Sequence, residues 1–523
     1  MVAFGVAKIV IVREELNSGQ KMTVTRRGIL AGLMAGAASP LWGEAVTRSL
    51  RPMARPDAET FVADVMPPQG SAAGLVGAAK LGGTTGYIVA EVASGRVLEQ
   101  ENADALVPPA SVVKAITALY GLDQLGTAHR FTTQIMVVGQ ITGDRLDGDL
   151  VLVGGGDPTL DSDKLGDLVA QLARTGLRRV TGRFLAYAGA LPGFERITGD
   201  QPVQVGYNPG LSGLGLNYNR VNFEWTKGGA TVAMTARGER YVPPVKMARM
   251  RVVERAAPVF GYAMGPGVEE WSVARAALRS EGSRWLPVRQ VADYVAEVFQ
   301  TLCAAQGIAL GRAEVVQVMP VGARPLVAWH SDELATVLRQ MLRFSTNITA
   351  ETVGMAASGA AGHAASAAAM AAWAAQRLGL RANLVDHSGL GAASRVTAAG
   401  MMQALANGDR VLGIRPILRN IGMRDDAGKQ IKGSPVKVIG KSGTLNFVSG
   451  LAGFIEPPSG RDLVFAIFSA DAARREAVPL GDREDAPGEG AWVRRAHLLQ
   501  ARLISRWAGM VCGVQIWTLS IIV

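Results

Sequence analysis

The sequence has little cysteine, few histidines and no long basic run. The two cysteines, Cys303 and Cys512, stand far apart among 523 residues, so we expect neither a disulfide framework nor a cysteine-based zinc site. The five histidines form no HExxH motif and no close pair in sequence, which argues against a catalytic zinc ion. We therefore expect no metal and no cofactor.

The formal net charge is +10, but the lysines and arginines are scattered along the chain. Scattered positive charge is typical of a solvated surface, so nucleic acid is not an expected partner. Apolar residues make up 48 % of the sequence and charged residues 19 %. This composition indicates a globular protein with a large core, and the length predicts two or three domains.

The stretch TVTRRGILAGLMAGAASPLWGEA places Arg26 and Arg27 before an apolar run that ends in small residues. This pattern is typical of a twin-arginine signal. We expect residues 1–45 to be recognised by the twin-arginine export machinery and removed in the periplasm, with Met22 as an alternative start. An uncleaved anchor is the competing interpretation, which leaves a loose association with the membrane open.

Alternating apolar residues around a Ser-Gly turn predict a hairpin over 86–100, and a pair of prolines predicts a helix beginning near Ala110. Three apolar runs separated by turns between 435 and 470 predict an antiparallel meander. Near the C-terminus, apolar residues at helical spacing predict an amphipathic helix; they are Trp492, Ala496, Leu499, Leu503 and Trp507.

Both ends of the sequence contain predicted helices and strands of this kind, whereas short apolar runs and Gly-rich turns dominate the middle. We therefore predict an α/β protein in which one domain, 46–130 with 326–510, is split by a mostly β insert, 131–325. Two domains in tandem are the alternative. The tail 511–523 stays unassigned, and its apolar run is too short to span a membrane.

Ser111 and Lys114 lie three residues apart in PPASVVKAIT, which places both side chains on one face of a helix. A serine hydroxyl becomes a nucleophile when a base takes its proton, and a lysine can act as that base only when neutral. SxxK alone is a weak signal.

Ser345 and Asn347 in RFSTNITAE form a second weak motif, in which a hydroxyl could relay protons and an amide could hold a carbonyl.

Lys441 follows a glycine in VIGKSGTL, as the lysine of a phosphate-binding loop does. The first glycine of such a loop is replaced here by Pro435, which has no backbone N–H. Apolar strand-like residues also stand on both sides of the lysine, where the phosphate loop requires a helix on one side. We therefore interpret the stretch as a strand at an active-site edge.

The motifs SxxK, SxN and KSG follow one another in the order found in β-lactamases and penicillin-binding proteins. Ser111 and Ser345 lie 234 positions apart. With this long spacing, the sequence resembles the class C low-molecular-mass penicillin-binding proteins, the D-alanyl-D-alanine carboxypeptidase/endopeptidase family. The segments LVGGGDPTL, NPGLSGLGLNYNRV, STNITAETV and DHSGLGAASRVTA resemble further stretches of that family. Ser442 and His387 depart from it, replacing a usual Thr and a usual Gly.

The resemblance implies a β-lactamase/transpeptidase-like domain with an antiparallel sheet flanked by helices. It also implies that peptidoglycan stem peptides are the substrates and that β-lactam antibiotics are inhibitors. The implied catalytic residues are Ser111 as nucleophile, Lys114 as base, Ser345 as proton relay and Lys441 as the charge that lowers the pKa of Lys114. The implied substrate-binding residues are Asn347, Ser442, Gly443, which would let substrate approach the strand, and Thr444, whose N–H would complete an oxyanion hole.

Two alternatives from the same motifs remain, a β-lactamase and a non-catalytic peptidoglycan-binding scaffold. The long insert argues against the first, and the complete set of motif residues argues against the second. Asp386, His387 and Ser388 are consecutive, so their side chains would alternate in direction along an extended segment. We therefore do not expect them to form a catalytic triad.

Overall fold

The computed structural model describes residues 70–425 and 427–512. The predicted signal peptide, 1–45, and the tail from 513 onwards lie outside the described residues. The α-helices are α1 (Ala72–Ala79), α2 (Lys114–Leu125), α3 (Ser162–Arg174), α4 (Val291–Ala305), α5 (Leu334–Phe344), α6 (Asn347–Ser358), α7 (His363–Leu378), α8 (Ala398–Leu412), α9 (Ala472–Glu476) and α10 (Glu489–Val511).

The strands fall into two larger and two smaller sheets. They are β1 (Thr84–Glu91), β2 (Val97–Glu101), β3 (Thr132–Thr142), β4 (Arg145–Val153), β5 (Arg179–Val180), β6 (Phe184–Tyr187), β7 (Arg220–Trp225), β8 (Val232–Thr235), β9 (Ala248–Val253), β10 (Phe260–Gly265), β11 (Val268–Ala274), β12 (Gly282–Pro287), β13 (Ala313–Val316), β14 (Arg324–His330), β15 (Arg419–Asn420), β16 (Lys437–Leu445), β17 (Val448–Glu456) and β18 (Leu463–Ala470).

The first sheet has the strand order β15-β16-β17-β18-β1-β2, and every neighbouring pair is antiparallel. The predicted hairpin forms β1 and β2, and the predicted meander forms β16, β17 and β18. Strand β1, from the N-terminal part of the chain, pairs with β18, from the C-terminal part. The N-terminal and C-terminal parts of the sequence therefore build one sheet together.

Both faces of this sheet are buried. Along β1, Ile88 and Ala90 pack into a core shared with α2 and α8, whereas Tyr87 and Val89 pack into a core shared with α1 and α10. Successive side chains of a strand point to opposite faces, so one strand contributes to two cores. The result is an antiparallel sheet between two layers of helices, the architecture expected from the sequence.

Helix α10 follows the predicted apolar spacing. Its five predicted core residues are all buried against the sheet; they are Trp492, Ala496, Leu499, Leu503 and Trp507. Trp492 donates a 2.6 Å hydrogen bond from its indole N–H to the carbonyl of Leu81, so the polar atom of this buried ring is satisfied.

The second large sheet has the order β13-β6-β4-β3-β14 and packs with α3 and α4 around a separate core. The predicted end of the insert, residue 325, falls inside β14, which pairs with β3. A small cluster joins this region to α6, where Leu191 and Leu211 contact Ile348 and Met355. The division of the chain into a split domain and an insert at 131–325 stays a prediction.

Among residues 70–425 and 427–512, no helix combines the length and the apolar composition that crossing a membrane requires.

Strand β16 lies directly against the 3₁₀ turn Ala110–Val113, which precedes α2. A Cβ atom at Gly443 would lie 2.6 Å from the backbone nitrogen of Ser111 and 2.9 Å from that of Val112. Contacts this short with backbone atoms cannot be relieved by a side-chain rotation. The packing of the strand against the turn therefore requires glycine at 443, and the approach of substrate to this residue stays a prediction.

We expect Gly443→Ala to lower the free energy of unfolding by about 1–3 kcal/mol, because the added methyl group overpacks this contact. Gly77→Ala is the matched control, since Gly77 is exposed in α1 and its Cβ would meet nothing within 4 Å. That control should gain about 0.5–1 kcal/mol from helix propensity. Urea unfolding of both variants measures the difference, and equal stability of the two would contradict the packing argument.

Candidate active site

Ser111 lies in the 3₁₀ turn and Lys114 is the first residue of α2. The preceding residue, Ala110, has a φ of +45°, a left-handed conformation that costs an L-residue about 1–2 kcal/mol. Strained backbone of this kind is found at functional sites, where the surrounding structure holds it in place. Ser111 stays partly exposed, whereas Lys114 is fully buried. The turn thus presents a hydroxyl to solvent with an amine directly behind it.

The amine of Lys114 has three partners, each 2.7 Å away: the hydroxyl of Ser111, the side-chain oxygen of Asn347 and the carbonyl oxygen of Ser388. A neutral amine has two hydrogens and one lone pair. Asn347 and Ser388 offer only oxygen acceptors, so they take the two hydrogens. The lone pair is then left for the proton of Ser111, which is the arrangement that a general base requires.

Burial lowers the pKa of Lys114 to about 7, although the charges of Asp386 and Glu351 act in the opposite direction. Removing an ammonium group from water disfavours its charged form, so a buried lysine can be neutral near physiological pH. The charge of Lys441, the predicted cause of this lowering, is not its main cause, because desolvation accounts for the shift.

Ser345 and Asn347 stand at the corner between two helices. Helix α5 ends at Phe344, Ser345 adopts a left-handed conformation with φ +57°, and Asn347 begins α6. The side-chain nitrogen of Asn347 donates to the carbonyl of Tyr207 at 2.9 Å, which turns its oxygen toward Lys114. The SxN motif therefore brings its hydroxyl and its amide to the same site as the SxxK motif.

Lys441 is buried on β16, and its amine lies 2.9 Å from the hydroxyl of Ser345. Burial lowers its pKa well below the usual range, and the charges of Lys114 and Arg419 lower it further. The site thus contains two lysine–serine pairs, one between Ser111 and Lys114 and the other between Ser345 and Lys441. Two buried amines near each other cannot both hold a proton without mutual repulsion.

An open cavity of about 340 Å³ lies in front of these residues. Ser111, Ser345, Asn347 and Thr444 are among the residues that line it, whereas Ser442 and Gly443 are not. The cavity is also lined by residues that were not predicted from the sequence: Gln201, Tyr207, Asn446, Arg483, Glu484 and Glu489. Asn446 lies two positions after Thr444, whereas the others lie outside the three motifs, so the sequence carried no local signal for them.

A second group, whose members the sequence did not bring together, lies near Lys114. Glu351 is fully buried, and one of its oxygens accepts hydrogen bonds from Nε2 of His363 at 2.8 Å and Nδ1 of His387 at 2.9 Å. Its other oxygen accepts from the backbone N–H of Ser388 at 2.9 Å. The two histidines are not close in sequence, but folding places their ring centres 5.9 Å apart, so the expectation of no close histidine pair is wrong.

Burial alone would raise the pKa of Glu351, but its hydrogen bonds with the two histidines outweigh that effect and hold the pKa below its usual range. Asp386 accepts hydrogen bonds from the backbone of Gly389 and Gly391, and burial beside Glu351 raises its pKa. Nδ1 of His387 thus lies against Glu351 rather than Asp386, so Asp386, His387 and Ser388 do not assemble a triad.

The sequence matches the D-Ala-D-Ala carboxypeptidase 3 (S13) family over residues 74–483, which is most of the chain. The chain belongs to this family. Membership confirms the resemblance inferred from the SxxK, SxN and KSG motifs and makes the chain a serine-type peptidase, a hydrolase.

Two relatives illustrate how far this S13 chain has diverged. The D-alanyl-D-alanine carboxypeptidase of Actinomadura sp. (strain R39) is 24 % identical over 430 residues, which cover 74 % of this chain and 77 % of that protein. The D-alanyl-D-alanine carboxypeptidase DacB of Haemophilus influenzae is 22 % identical over 409 residues, which cover 74 % of this chain and 85 % of that protein.

The crystal structure of penicillin-binding protein 4 from Haemophilus influenzae superposes on this S13 chain with a TM-score of 0.66. The match covers 86 % of this chain and 99 % of that chain at 19 % identity. The likeness confirms the predicted fold class, an α/β fold of the β-lactamase/transpeptidase-like kind with antiparallel sheets and helices.

We expect Glu351→Gln to lower the free energy of unfolding by about 3 kcal/mol, because a buried charged partner of two histidines is removed and an amide N–H then faces other N–H donors. Glu254→Gln is the control, since that side chain is 76 % exposed and should change stability by less than about 0.5 kcal/mol. Thermal unfolding of the two variants distinguishes them. A loss of stability no larger than that of Glu254→Gln would show that Glu351 does not anchor the loop that contains His387 and Ser388.

Proposed function

We propose that this chain removes the terminal D-Ala from peptidoglycan stem peptides through an acyl-enzyme on Ser111. The observation that carries the proposal is the environment of Lys114, which leaves the lone pair of a neutral amine facing the hydroxyl of Ser111. Few arrangements other than covalent catalysis by serine require a buried lysine whose remaining hydrogen-bond positions are filled by acceptors.

In the first half of the reaction, Ser111 attacks the carbonyl of the penultimate D-Ala while Lys114 takes its proton. The negative charge on the carbonyl oxygen is stabilised by the backbone N–H groups of Ser111 and Thr444. The proton taken by Lys114 reaches the nitrogen of the departing D-Ala through Ser345, which gives up its own proton and receives that one in exchange, and which lies within hydrogen-bonding distance of Lys441. Water then attacks the ester and gives one proton to Lys114, which passes it to the oxygen of Ser111 as the acyl group leaves.

Asn347 and Thr444 bind the peptide beside the reacting bond, since both line the cavity. Ser442 and Gly443 act indirectly, by shaping the strand that carries Thr444. The cavity is open and bounded partly by the insert through Tyr207, so a branched peptide could enter it. Cleavage of the D-Ala cross-links between stem peptides, an endopeptidase activity, is therefore part of the proposal.

β-Lactam antibiotics are expected to acylate Ser111. A second crystal structure of penicillin-binding protein 4 from Haemophilus influenzae, with a TM-score of 0.66 at 18 % identity, contains a β-lactam, which supports this expectation. The β-lactamase alternative requires fast hydrolysis of the resulting ester. The scaffold alternative is disfavoured, because Lys114 hydrogen-bonds Ser111 and Asn347, and Lys441 hydrogen-bonds Ser345.

We also propose that the protein acts in the periplasm after export by the twin-arginine machinery, with the signal in residues 1–45 removed. The support is the Arg26-Arg27 pair before an apolar run, together with a substrate that lies outside the cytoplasm. A loose association with the membrane is compatible with this location.

The main test follows a fluorescent penicillin and the release of D-Ala from a stem pentapeptide. We expect the protein to take the label, to keep it for much longer than the acylation step lasts, and to release D-Ala. Ser111→Ala should lose both activities, whereas Ser94→Ala, which replaces an exposed serine in the β1–β2 turn, should keep both. Rapid loss of label without D-Ala release would identify a β-lactamase, and unlabelled folded protein would refute the enzymatic proposal.

The acylation rate should follow the protonation of Lys114. Because burial lowers its pKa to about 7, the neutral amine is scarce below that pH and predominates above it. We expect the rate to rise about tenfold per pH unit below pH 7 and to level off above it. Lys114→Arg should be inactive throughout, since a guanidinium stays charged. A rate independent of pH between about 5 and 9 would contradict the role of Lys114 as base.

A further inference from the structure

The group formed by Glu351, His363 and His387 has no assigned task in the peptidase reaction. The three side chains offer one carboxylate oxygen and two imidazole nitrogens that all lie within 4.8 Å of one another. Two imidazoles and one carboxylate form a ligand set that suits Zn²⁺ and similar divalent ions of the first transition series.

Each member of the group is held by a different element. Glu351 lies inside α6, His363 is the first residue of α7, and His387 lies in the loop before α8. The loop is fixed to α6, because the backbone N–H groups of His387 and Ser388 both donate to Glu351. Ligands carried on rigid and mutually bonded elements require little reorganisation when an ion binds.

The backbone of α6 is shaped to receive the imidazole of His387. A Cβ atom at Gly354, one turn after Glu351, would lie only 2.0 Å from Cδ2 of His387. Any residue other than glycine at 354 would exclude the ring from its present position. Gly354 therefore leaves room for the imidazole of His387, whose nitrogen lies against the carboxylate of Glu351.

The second nitrogen of His387 also has a suitable partner. Nε2 lies 3.0 Å from the hydroxyl of Ser366, and that hydroxyl can donate to the carbonyl of Gly354 at 3.2 Å. If Nδ1 binds a metal, the ring proton moves to Nε2, where the oxygen of Ser366 accepts it. A histidine ligand whose other N–H is bonded in this way is held in the tautomer that metal binding needs.

We propose that Glu351, His363 and His387 bind one Zn²⁺ ion, with Nε2 of His363, Nδ1 of His387 and one oxygen of Glu351 as its ligands. Ligand atoms around a tetrahedral zinc ion lie about 3.3 Å apart. The two nitrogen–oxygen distances, 2.8 and 2.9 Å, would therefore open by about half an ångström. Solvent supplies the remaining coordination position.

Solvent reaches the site from the side of His363. That side chain is 19 % exposed, whereas Glu351 and His387 are fully buried. The ring of Phe194 from the insert lies against His363, with the ring centres 4.6 Å apart. An ion therefore enters past a single aromatic ring, and the carboxylate of Glu351 supplies the negative charge that attracts it. The Ser111–Lys114 pair takes no part in this binding.

The test measures Zn²⁺ bound to untagged full-length protein that has first been stripped with a chelator. Equilibrium dialysis followed by elemental analysis should find one ion per chain, and Co²⁺ used as a probe should give the visible absorption of a nitrogen- and oxygen-bound ion. Zinc should also raise the unfolding temperature, because it binds only the folded chain.

His363→Gln is the informative variant, since a partly exposed side chain can be replaced without unfolding the core. We expect its zinc affinity to fall at least tenfold and its zinc-dependent rise in unfolding temperature to vanish. His330→Gln is the matched control, because His330 is an exposed histidine on β14 that does not belong to the cluster, and this variant should bind like the unaltered protein. Absence of stoichiometric zinc, or equal affinities of the two variants, would overturn the proposal.

Discussion

The contact between the amine of Lys114 and the hydroxyl of Ser111, made where the amine is fully buried, is the interaction on which the proposed chemistry depends. A lysine in water holds its proton and cannot activate a serine. Full burial lowers the pKa of Lys114 to about 7, and the acceptors around it leave one lone pair directed at Ser111. The chemistry therefore follows from the packing that excludes solvent.

That packing is assembled from distant parts of the chain. Ser111 and Lys114 come from the start of α2, Asn347 from the start of α6, and Ser388 from the loop that Glu351 anchors. Strand β16 of the sheet packs against the turn that carries Ser111, and Gly443 allows this close approach. Tyr207 reaches Asn347 from the insert, so the accessory region helps to orient a residue that contacts Lys114. Changes in α6 or in the loop of Ser388 would act on Lys114, whereas a change in β16 would act directly on the turn that carries Ser111.

Patterns that act over short distances could be predicted from the sequence. The hairpin, the meander and α10 follow alternation and helical spacing, and the motif residues followed from their types and order. The causes of the pKa shifts and the contact partners of the site residues could not be predicted, because they depend on contacts between residues that are distant in the sequence. Examples are the burial that lowers the pKa of Lys114, the packing role of Gly443, and the meeting of His363 with His387 on Glu351. These residues show no local periodicity, and a histidine pair separated by 24 positions becomes a cluster only after α6, α7 and the following loop pack together.

The central claim is that Ser111 is the residue that forms the covalent intermediate. The most direct measurement is peptide mapping by mass spectrometry after the native protein has reacted with a penicillin. The account predicts a single penicilloyl group on the peptide that contains Ser111, with Ser345 and Ser388 unmodified. A penicilloyl group on either of those two serines, or no modification of a folded protein, would contradict it.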